Sequence, residues 1–490
     1  MPPRTRGLRK DPTVTAAPDV AANLIDGSRL PGSGGETIDV LDPATGEVVG
    51  RIPAGSPADA DAAVTAAAKA HQSWARTPPA DRADLLKQAA RTLRSHVDEL
   101  AGLQTRENGK PLGDSRGGVL AGIGAIEQYA ELGPLHRGRS LQGRWDATDV
   151  MVHEPYGVAA VLTPWNDPVA IACGLLAATL VAGNTVVFKP SEKTPLSAVR
   201  LAELLDLPAG VLNVVLGDGR AGRALVQHDD VDLVLHVGSM ATGREIGAEC
   251  GRRLRRCVLE LGGKDALIVD EGVDPVWAAQ QAASGAFANA GQICTSVERI
   301  YVHAAVADAF VTALVDAAEA LVSGPGTSEG TTLGPLVDEA QRTVVHDHVT
   351  QALAAGAVAR TGGALPAGPG FFYPATVLVD VTDDMAVMRE ETFGPVAAVR
   401  VVASFDEALS AAAAGDYGLA ATVLTPSPAN AQRAARELAV GTVKVNAVWG
   451  GAPGGAAHPH RGSGLGFGYG PELLDEVTQT KVLHLGVPPG

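Results

Sequence analysis

The sequence predicts an α/β protein built on two parallel-sheet domains that meet around residue 260. Three observations carry that expectation. After Tyr156, short apolar runs alternate with helical stretches: VAAVL (158–162), TVVFK (185–189), LNVVL (212–216) and VDLVLHV (231–237), with helices beginning near Pro168, Pro195, Gly219 and Ala241. Strands separated by helices read as βαβ units, hence a parallel sheet covered on its faces. A second set follows Glu260: ALIVD (266–270), a helix from Asp274, then ERIYVH (298–303) and a helix from Ala305. Finally, a chain of 490 residues that is 46% hydrophobic is long and apolar enough for more than one core.

The remaining elements follow in chain order. The opening MPPRTRGLRKDPTVTAAPD is basic and lacks the apolar stretch of a secretory signal, so residues 1–20 are expected to be a disordered leader. Residues 36–53 alternate apolar and polar around the turn Pro43-Ala44-Thr45-Gly46, which predicts a hairpin. Ser56 is placed to cap a helix with Pro57 at its first position, running to Trp74. A long helix is expected from Pro78-Pro79 to about Arg106, ended by Asn108-Gly109-Lys110-Pro111, and another from about Ser115 to Leu132. The Gly/Pro-rich stretches 323–335 and 361–372 read as loops.

Composition excludes several functions. A net charge of −16 repels phosphate backbones and anionic headgroups, so neither nucleic acid nor membrane is an expected partner. No window of about 20 uninterrupted apolar residues is present, which excludes a transmembrane helix. Four cysteines (Cys173, Cys250, Cys257 and Cys294) cannot form a disulfide framework, and they lack CxxC or Cys/His ligand spacing, so no metal site is expected. Scarce cysteine fits a reducing, cytoplasmic setting.

Which residues carry chemistry is a narrower question. Two glycine patterns follow strands and enter helices: Gly217-Asp218-Gly219-Arg220-Ala221-Gly222 and HVGSMATGRE (236–245). Either would let a backbone approach a pyrophosphate at a helix N-terminus, but with 58 glycines chance matches are expected. Cys294, in Asn289-Ala290-Gly291-Gln292-Ile293-Cys294-Thr295-Ser296, is either a small buried hydrophobe or a nucleophile that needs a base and an oxyanion partner. Glu260, in LELGGK (259–264), ends a strand between two leucines, and partial burial of a carboxyl suits a general base. Asn166, in TPWN (163–166), follows the strand VAAVL, where an α/β sheet presents ligand groups. Its amide is either an oxyanion donor or a turn former.

Together these residues resemble the NAD(P)-dependent aldehyde dehydrogenase superfamily. The motifs run in family order over almost the entire chain: TPWN at 163–166, KPSEKTP at 189–195, PAGVLNVVLG at 208–217, VGSMATG at 237–243, LELGGK at 259–264, GQICTS at 291–296, EETFGPV at 390–396 and YGLAATV at 417–423. The resemblance implies two Rossmann-like parallel-sheet domains plus a small β oligomerisation extension. Residues 21–134 and 154–261 would bind NAD, 262–455 would form the catalytic domain, and 135–153 with 470–490 would mediate assembly into a homodimer or homotetramer.

Carried over residue by residue, the resemblance makes Cys294 the nucleophile, Asn166 with the Cys294 backbone N–H the oxyanion hole, and Glu260 the general base. Lys189 and Glu192 would hold the adenosine ribose, and Gly238, Ser239 and Gly243 would flank the pyrophosphate, in place of the pattern at 217–222. Glu391 would hold the nicotinamide ribose beside Phe393, with Trp165 and Leu261 also in the cofactor site. The implied reaction oxidises a small-molecule aldehyde to the free acid through a thiohemiacetal and a thioester. A carboxylate at Glu192 repels a 2′-phosphate, which favours NAD, while Lys193 and Arg220 keep NADP open. Lys264 is expected to be structural.

The chain also departs from the family pattern. Asp167 stands where an aromatic residue is usual, and is either a substrate-pocket anion for a cationic aldehyde or the helix N-cap before Pro168. Leu175 replaces a lysine of that helix, and Gly174 stands where relatives acting on succinate semialdehyde carry an arginine. The loop AHPHRGSG (457–464) is altered, and Phe467 and Gly468 replace a usual Arg-Glu pair. Two other classes stay open on sequence alone: a Cys/Glu/Lys hydrolase, and an inactive relative that only binds.

Overall fold

The computed structural model describes residues 20–451 and 455–488, so residues 1–19 of the leader expected at 1–20 lie outside the described residues, and Val20 forms a bridge with Arg51. Two parallel-containing sheets organise the molecule. The first has eight strands in the order Gly464–Leu465, Arg256–Glu260, Leu233–Val237, Val158–Leu162, Thr185–Lys189, Leu212–Val214, Asn23–Ile25 and Ser28–Leu30. Its five central strands are mutually parallel, and both edges are closed by antiparallel strands from distant parts of the chain. Every residue of Val158–Leu162 and Thr185–Lys189 is buried, as expected of strands covered by helices on both faces.

The second sheet has seven strands, in the order Val358–Thr361, Thr376–Val379, Val396–Val402, Val297–His303, Asp265–Val269, Ala420–Leu424 and Thr442–Val445. It is parallel except for its first, antiparallel edge pair. A third, antiparallel sheet joins Thr478–Gly486, Ala147–Pro155 and Arg139–Leu141. The two large sheets are linked by the short crossing between Glu260 and Asp265.

Local rules account for most elements. Ser56 Oγ accepts the Asp59 N–H at 3.1 Å and opens the helix Pro57–Trp74. The hairpin Thr37–Leu41/Val48–Pro53 forms across the expected turn. The long helix expected from Pro79 to Arg106 is instead two, Pro79–Arg94 and Val97–Asn108. The break has a cause: Ser95 Oγ donates to the Thr92 carbonyl at 2.7 Å and His96 Nδ1 meets the same oxygen at 2.9 Å, ending the first helix. The helix expected from Ser115 begins at Leu112, directly after Pro111. Among the described residues, no helix is long and apolar enough to cross a membrane.

Candidate active site

The crossing Leu261-Gly262-Gly263-Lys264 brings several distant segments together. A Cβ at Gly262 would fall on the Glu391 carboxylate, and one at Gly263 on the Cys294 carbonyl, so only glycine permits this approach. The Gly263 N–H donates to Glu391 Oε1 at 3.1 Å. Lys264 turns into the second domain, where its Nζ lies 2.5 Å from Glu298 Oε2 and donates to Thr392 Oγ1 at 3.1 Å. Glu298 in turn accepts the N–H groups of Thr392 and Phe393, both at 2.8 Å. Lys264 therefore anchors the strand start and the Phe393 loop, as its structural reading requires.

Cys294 sits on a loop held in an uncommon conformation. Asn289, Ala290 and Gly291 have φ of 50°, 54° and 72°, the left-handed region that non-glycine residues rarely occupy. Side chains hold it there. Gln292 Nε2 donates to the Asn289 carbonyl at 3.0 Å, Gln292 Oε1 accepts the Val337 N–H at 2.9 Å, and Ser296 Oγ donates to the Gly291 carbonyl at 3.1 Å. Asn166 joins the same knot, donating from Nδ2 to the Gln292 carbonyl at 3.1 Å while its own carbonyl accepts from Asn289 Nδ2 at 3.2 Å. A primary amide has two N–H donors, so this bond orients Asn166 and leaves its second hydrogen for another acceptor.

Three carboxylates act on the Cys294 thiol. Burial and the charges of Glu260, Asp265 and Glu391 push it up to about 12. The thiol is half-buried by exposed surface, so this environment is densely walled yet reachable. Glu260 ends the strand Arg256–Glu260 and is pushed up to about 8 by burial, while the Gly468 N–H beside it donates to the Ala457 carbonyl at 2.9 Å. Glu260 Oε1 has no hydrogen-bond partner among the described residues. Burial and the neighbouring Glu298 also raise the Glu391 carboxyl.

On the other side of the strand ends lies a cavity of about 1090 Å³. Trp165, Lys189, Glu192, Gly238 and Ser239 line it. Lys189 Nζ donates to the Pro190 carbonyl at 2.8 Å and lies 3.7 Å from Glu192 Oε2; burial pushes its ammonium down. Ser239 caps the helix Met240–Arg253, its Oγ accepting the Thr242 N–H at 3.3 Å. Gly238 donates its N–H to the Glu260 carbonyl at 3.0 Å, which ties the cavity to the Cys294 side. A Cβ at Gly243 would collide with the Leu261 side chain, so these two pack together beside the cavity. Trp165 meets Phe393 edge-on at 5.4 Å and carries Lys193 over its face at 5.2 Å.

Some residues differ from what the sequence suggested. Asp167 stands at the N-cap position of the helix Pro168–Val181, but its side chain caps nothing. Its carboxylate instead meets Lys110 Nζ at 3.1 Å and accepts from Gln104 Nε2 at 3.4 Å, so its charge is already compensated. The glycine pattern set aside at 217–222 does reach the cavity wall, through Asp218, Gly219, Arg220 and Gly222. His236, also in the wall, was missed, as was Glu298, whose charge in the otherwise mostly apolar strand Val297–His303, next to Arg299, was a usable signal.

A site of this composition on this fold defines a class. The model described as the aldehyde dehydrogenase family matches residues 30–483, and the chain belongs to that family. The chain is 38% identical over 480 residues to the betaine aldehyde dehydrogenase of Cereibacter sphaeroides, spanning 96% of this chain and 99% of that protein. It superposes on the NAD+ complex of an aldehyde dehydrogenase from Bacillus cereus with a TM-score of 0.93 and 34% identity, over 96% of this chain and 97% of that one. A 3,6-anhydro-L-galactose dehydrogenase in complex with NADP gives a TM-score of 0.93 at 33% identity, over 95% and 100% of the two chains.

Proposed function

We propose that this enzyme oxidises an aldehyde to the free carboxylic acid with NAD as hydride acceptor, using Cys294 as nucleophile. The observation that supports the reading is that the Glu260 charge acts on the Cys294 thiol and the Asn166 amide is tied to the Gln292 carbonyl two residues before Cys294, while a cavity with the polar lining of a dinucleotide site opens at the ends of the same sheet. The cavity fits such a group on its own chemistry. It offers a buried cation at Lys189, a ribose-accepting carboxylate at Glu192, and a capped helix N-terminus behind Gly238 and Ser239. Trp165 lines its wall; Gly243 and Leu261, packed on each other, would flank the pyrophosphate, and Glu391 and Phe393, the latter edge-on to Trp165, would hold the nicotinamide end.

Bound there, the nicotinamide supplies the hydride acceptor. The rest is work for this chain's own residues. Cys294 gives up its proton to solvent water and its thiolate adds to the aldehyde carbon, and the second Asn166 amide hydrogen with the Cys294 N–H stabilises the alkoxide. Loss of hydride from the thiohemiacetal leaves a thioester on Cys294. Glu260 takes a proton from water as that water attacks the thioester, releasing the acid and restoring the thiol.

Glu192 favours NAD over NADP, and the two cations nearby are already engaged. Lys193 Nζ lies 2.6 Å from Asp338, and Arg220 pairs with Asp218 and Glu36 at 3.1 and 3.3 Å. Residues 21–134 and 154–261 serve as the NAD-binding domain and 262–455 as the catalytic domain. Segments 135–153 and 470–490 form the oligomerisation extension of a homodimer or homotetramer. Val482 and Leu485 on its outer strand are 60% and 61% exposed, which suits burial against a second copy. The setting is cytoplasmic, with no nucleic acid or membrane partner.

NADH formation at 340 nm across a panel of aldehydes tests the reading, with Cys294→Ser as control. Activity that survives in the serine variant, or its absence on every aldehyde, would reject it.

A further inference from the structure

We propose that His136, His153 and Asp475 form a divalent-metal site of the zinc type at the root of the three-stranded sheet. The three residues come from separate stretches. His136 follows the turn Gly133–Leu135, His153 lies in the strand Ala147–Pro155, and Asp475 lies in the short helix Leu473–Glu476 that feeds Thr478–Gly486. One ligand-type atom from each lies within 4.8 Å of the others. His136 Nε2 and Asp475 Oδ1 are 2.8 Å apart, and the two imidazole rings lie 4.1 Å apart between centroids.

Zinc holds imidazole nitrogen at about 2.0–2.1 Å and carboxylate oxygen at about 2.0–2.2 Å, so tetrahedral ligand atoms sit roughly 3.4 Å from one another. Side-chain shifts of about one ångström bring this triad to that spacing. Two imidazoles with one carboxylate suit zinc and its transition-metal neighbours, whereas magnesium and calcium take oxygen ligands.

A His136–Asp475 ion pair alone leaves the second imidazole unexplained. The charges facing His153 are His136, Asp475 and Arg139. Asp475 is 66% exposed on its side chain, which gives a metal an entry path. The sequence showed no such site because its ligands are scattered from residue 136 to residue 475. A metal here pins the linking segment, the strand and the last helix together, and so stiffens the extension.

The test is a zinc chloride titration, followed by calorimetry, on tag-free, EDTA-treated full chain freed of chelator, with Cys294 alkylated to keep the catalytic thiol from competing. We expect one equivalent of zinc to bind saturably and raise the melting temperature, with magnesium chloride doing neither. His153→Ala and Asp475→Ala should each weaken zinc binding at least about tenfold and abolish the melting shift. Melting in EDTA certifies that each variant is folded, and His153→Gln replaces His153→Ala if the alanine variant is not. No saturable binding in the parent, or unchanged affinity in the folded variants, overturns the proposal.

Discussion

Gly468 lies against the Glu260 carboxylate so closely that a Cβ at position 468 would fall on its Cγ, Cδ and Oε1 atoms. The strand Gly464–Leu465, pairing Glu260 with Gly464, brings the loop to this place. Gly468 is not among the left-handed glycines, so the demand is for space rather than for a special backbone.

Gly468→Ala should therefore displace Glu260 while leaving the backbone unstrained. The expected result is a fall in kcat of at least about tenfold, within the range that a positioned general base contributes. Alkylation of Cys294 by iodoacetamide should proceed nearly as before. Quenched-flow detection of accumulated thioester reads the displaced step directly; unchanged turnover would show that Glu260 tolerates the intrusion.

Glu260 also sets a pH dependence. Its carboxyl must be ionised to accept a proton from water, so deacylation should rise with pH through about 8. Stability moves the opposite way. Between the ordinary value of 4.5 and about 8 the folded state keeps a proton that the unfolded chain has released, so stability is lost as pH rises through that window. Glu260→Gln should flatten both slopes, seen in pH–rate profiles and in urea unfolding at pH 5 and pH 8.

The Lys264–Glu298 pair is buried at 2% and 4% side-chain exposure, which makes removal of one partner costly. Lys264→Met strands the Glu298 carboxylate, at about 3–5 kcal/mol for a broken buried pair. The two backbone N–H groups from Thr392 and Phe393 remain on Glu298, which favours the lower end of that range. Chemical denaturation measures it, and a loss below about 1 kcal/mol would mean the pair contributes little.

Asn166→Ala removes an oxyanion donor together with the tie to the Gln292 carbonyl. Loss of one such donor reduces kcat by about 10²–10³-fold. Asn166→Asp keeps the size but not the donor; recovery of turnover in that variant would argue that Asn166 serves only as a brace.

Asp167→Asn should leave the preference between cationic and neutral aldehydes within about threefold, because Lys110 already balances the charge. Comparing kcat/KM for matched aldehydes checks this, and a tenfold selective loss on the cationic member would restore Asp167 as a substrate anchor.

Local signals explain which parts of this molecule were legible in the sequence. Ser56 caps its helix, the hairpin turns at Pro43–Gly46, and the buried runs at 158–162 and 185–189 are central strands, because each depends on neighbours in the chain. The break at Ser95-His96 was hidden, since it depends on side chains reaching back to one carbonyl. The edge strand Gly464–Leu465 forms only by pairing with the distant strand Arg256–Glu260, so no local pattern marks it, and the three-residue strands Asn23–Ile25 and Ser28–Leu30 are too short to show an alternation. In the candidate site, residue types and motif order single out Cys294, Asn166 and Glu260 as candidates. The Lys110 partner of Asp167 and the Gly468 contact with Glu260 are visible only in three dimensions.

The strand Gly464–Leu465 has one more consequence, for how the protein is made. Glu260 and Cys294 leave the ribosome well before residues 464–468 do, and synthesis proceeds from the N-terminus at about 5–20 residues per second. Until residues 464–468 arrive, the Glu260 carboxylate lacks the Gly468 contact and its sheet has an open edge. A ribosome-bound chain, or one clipped before residue 464, thus carries Cys294 and Glu260 without this edge strand, and on the proposed reading competence is conferred late, by the segment that completes the first sheet.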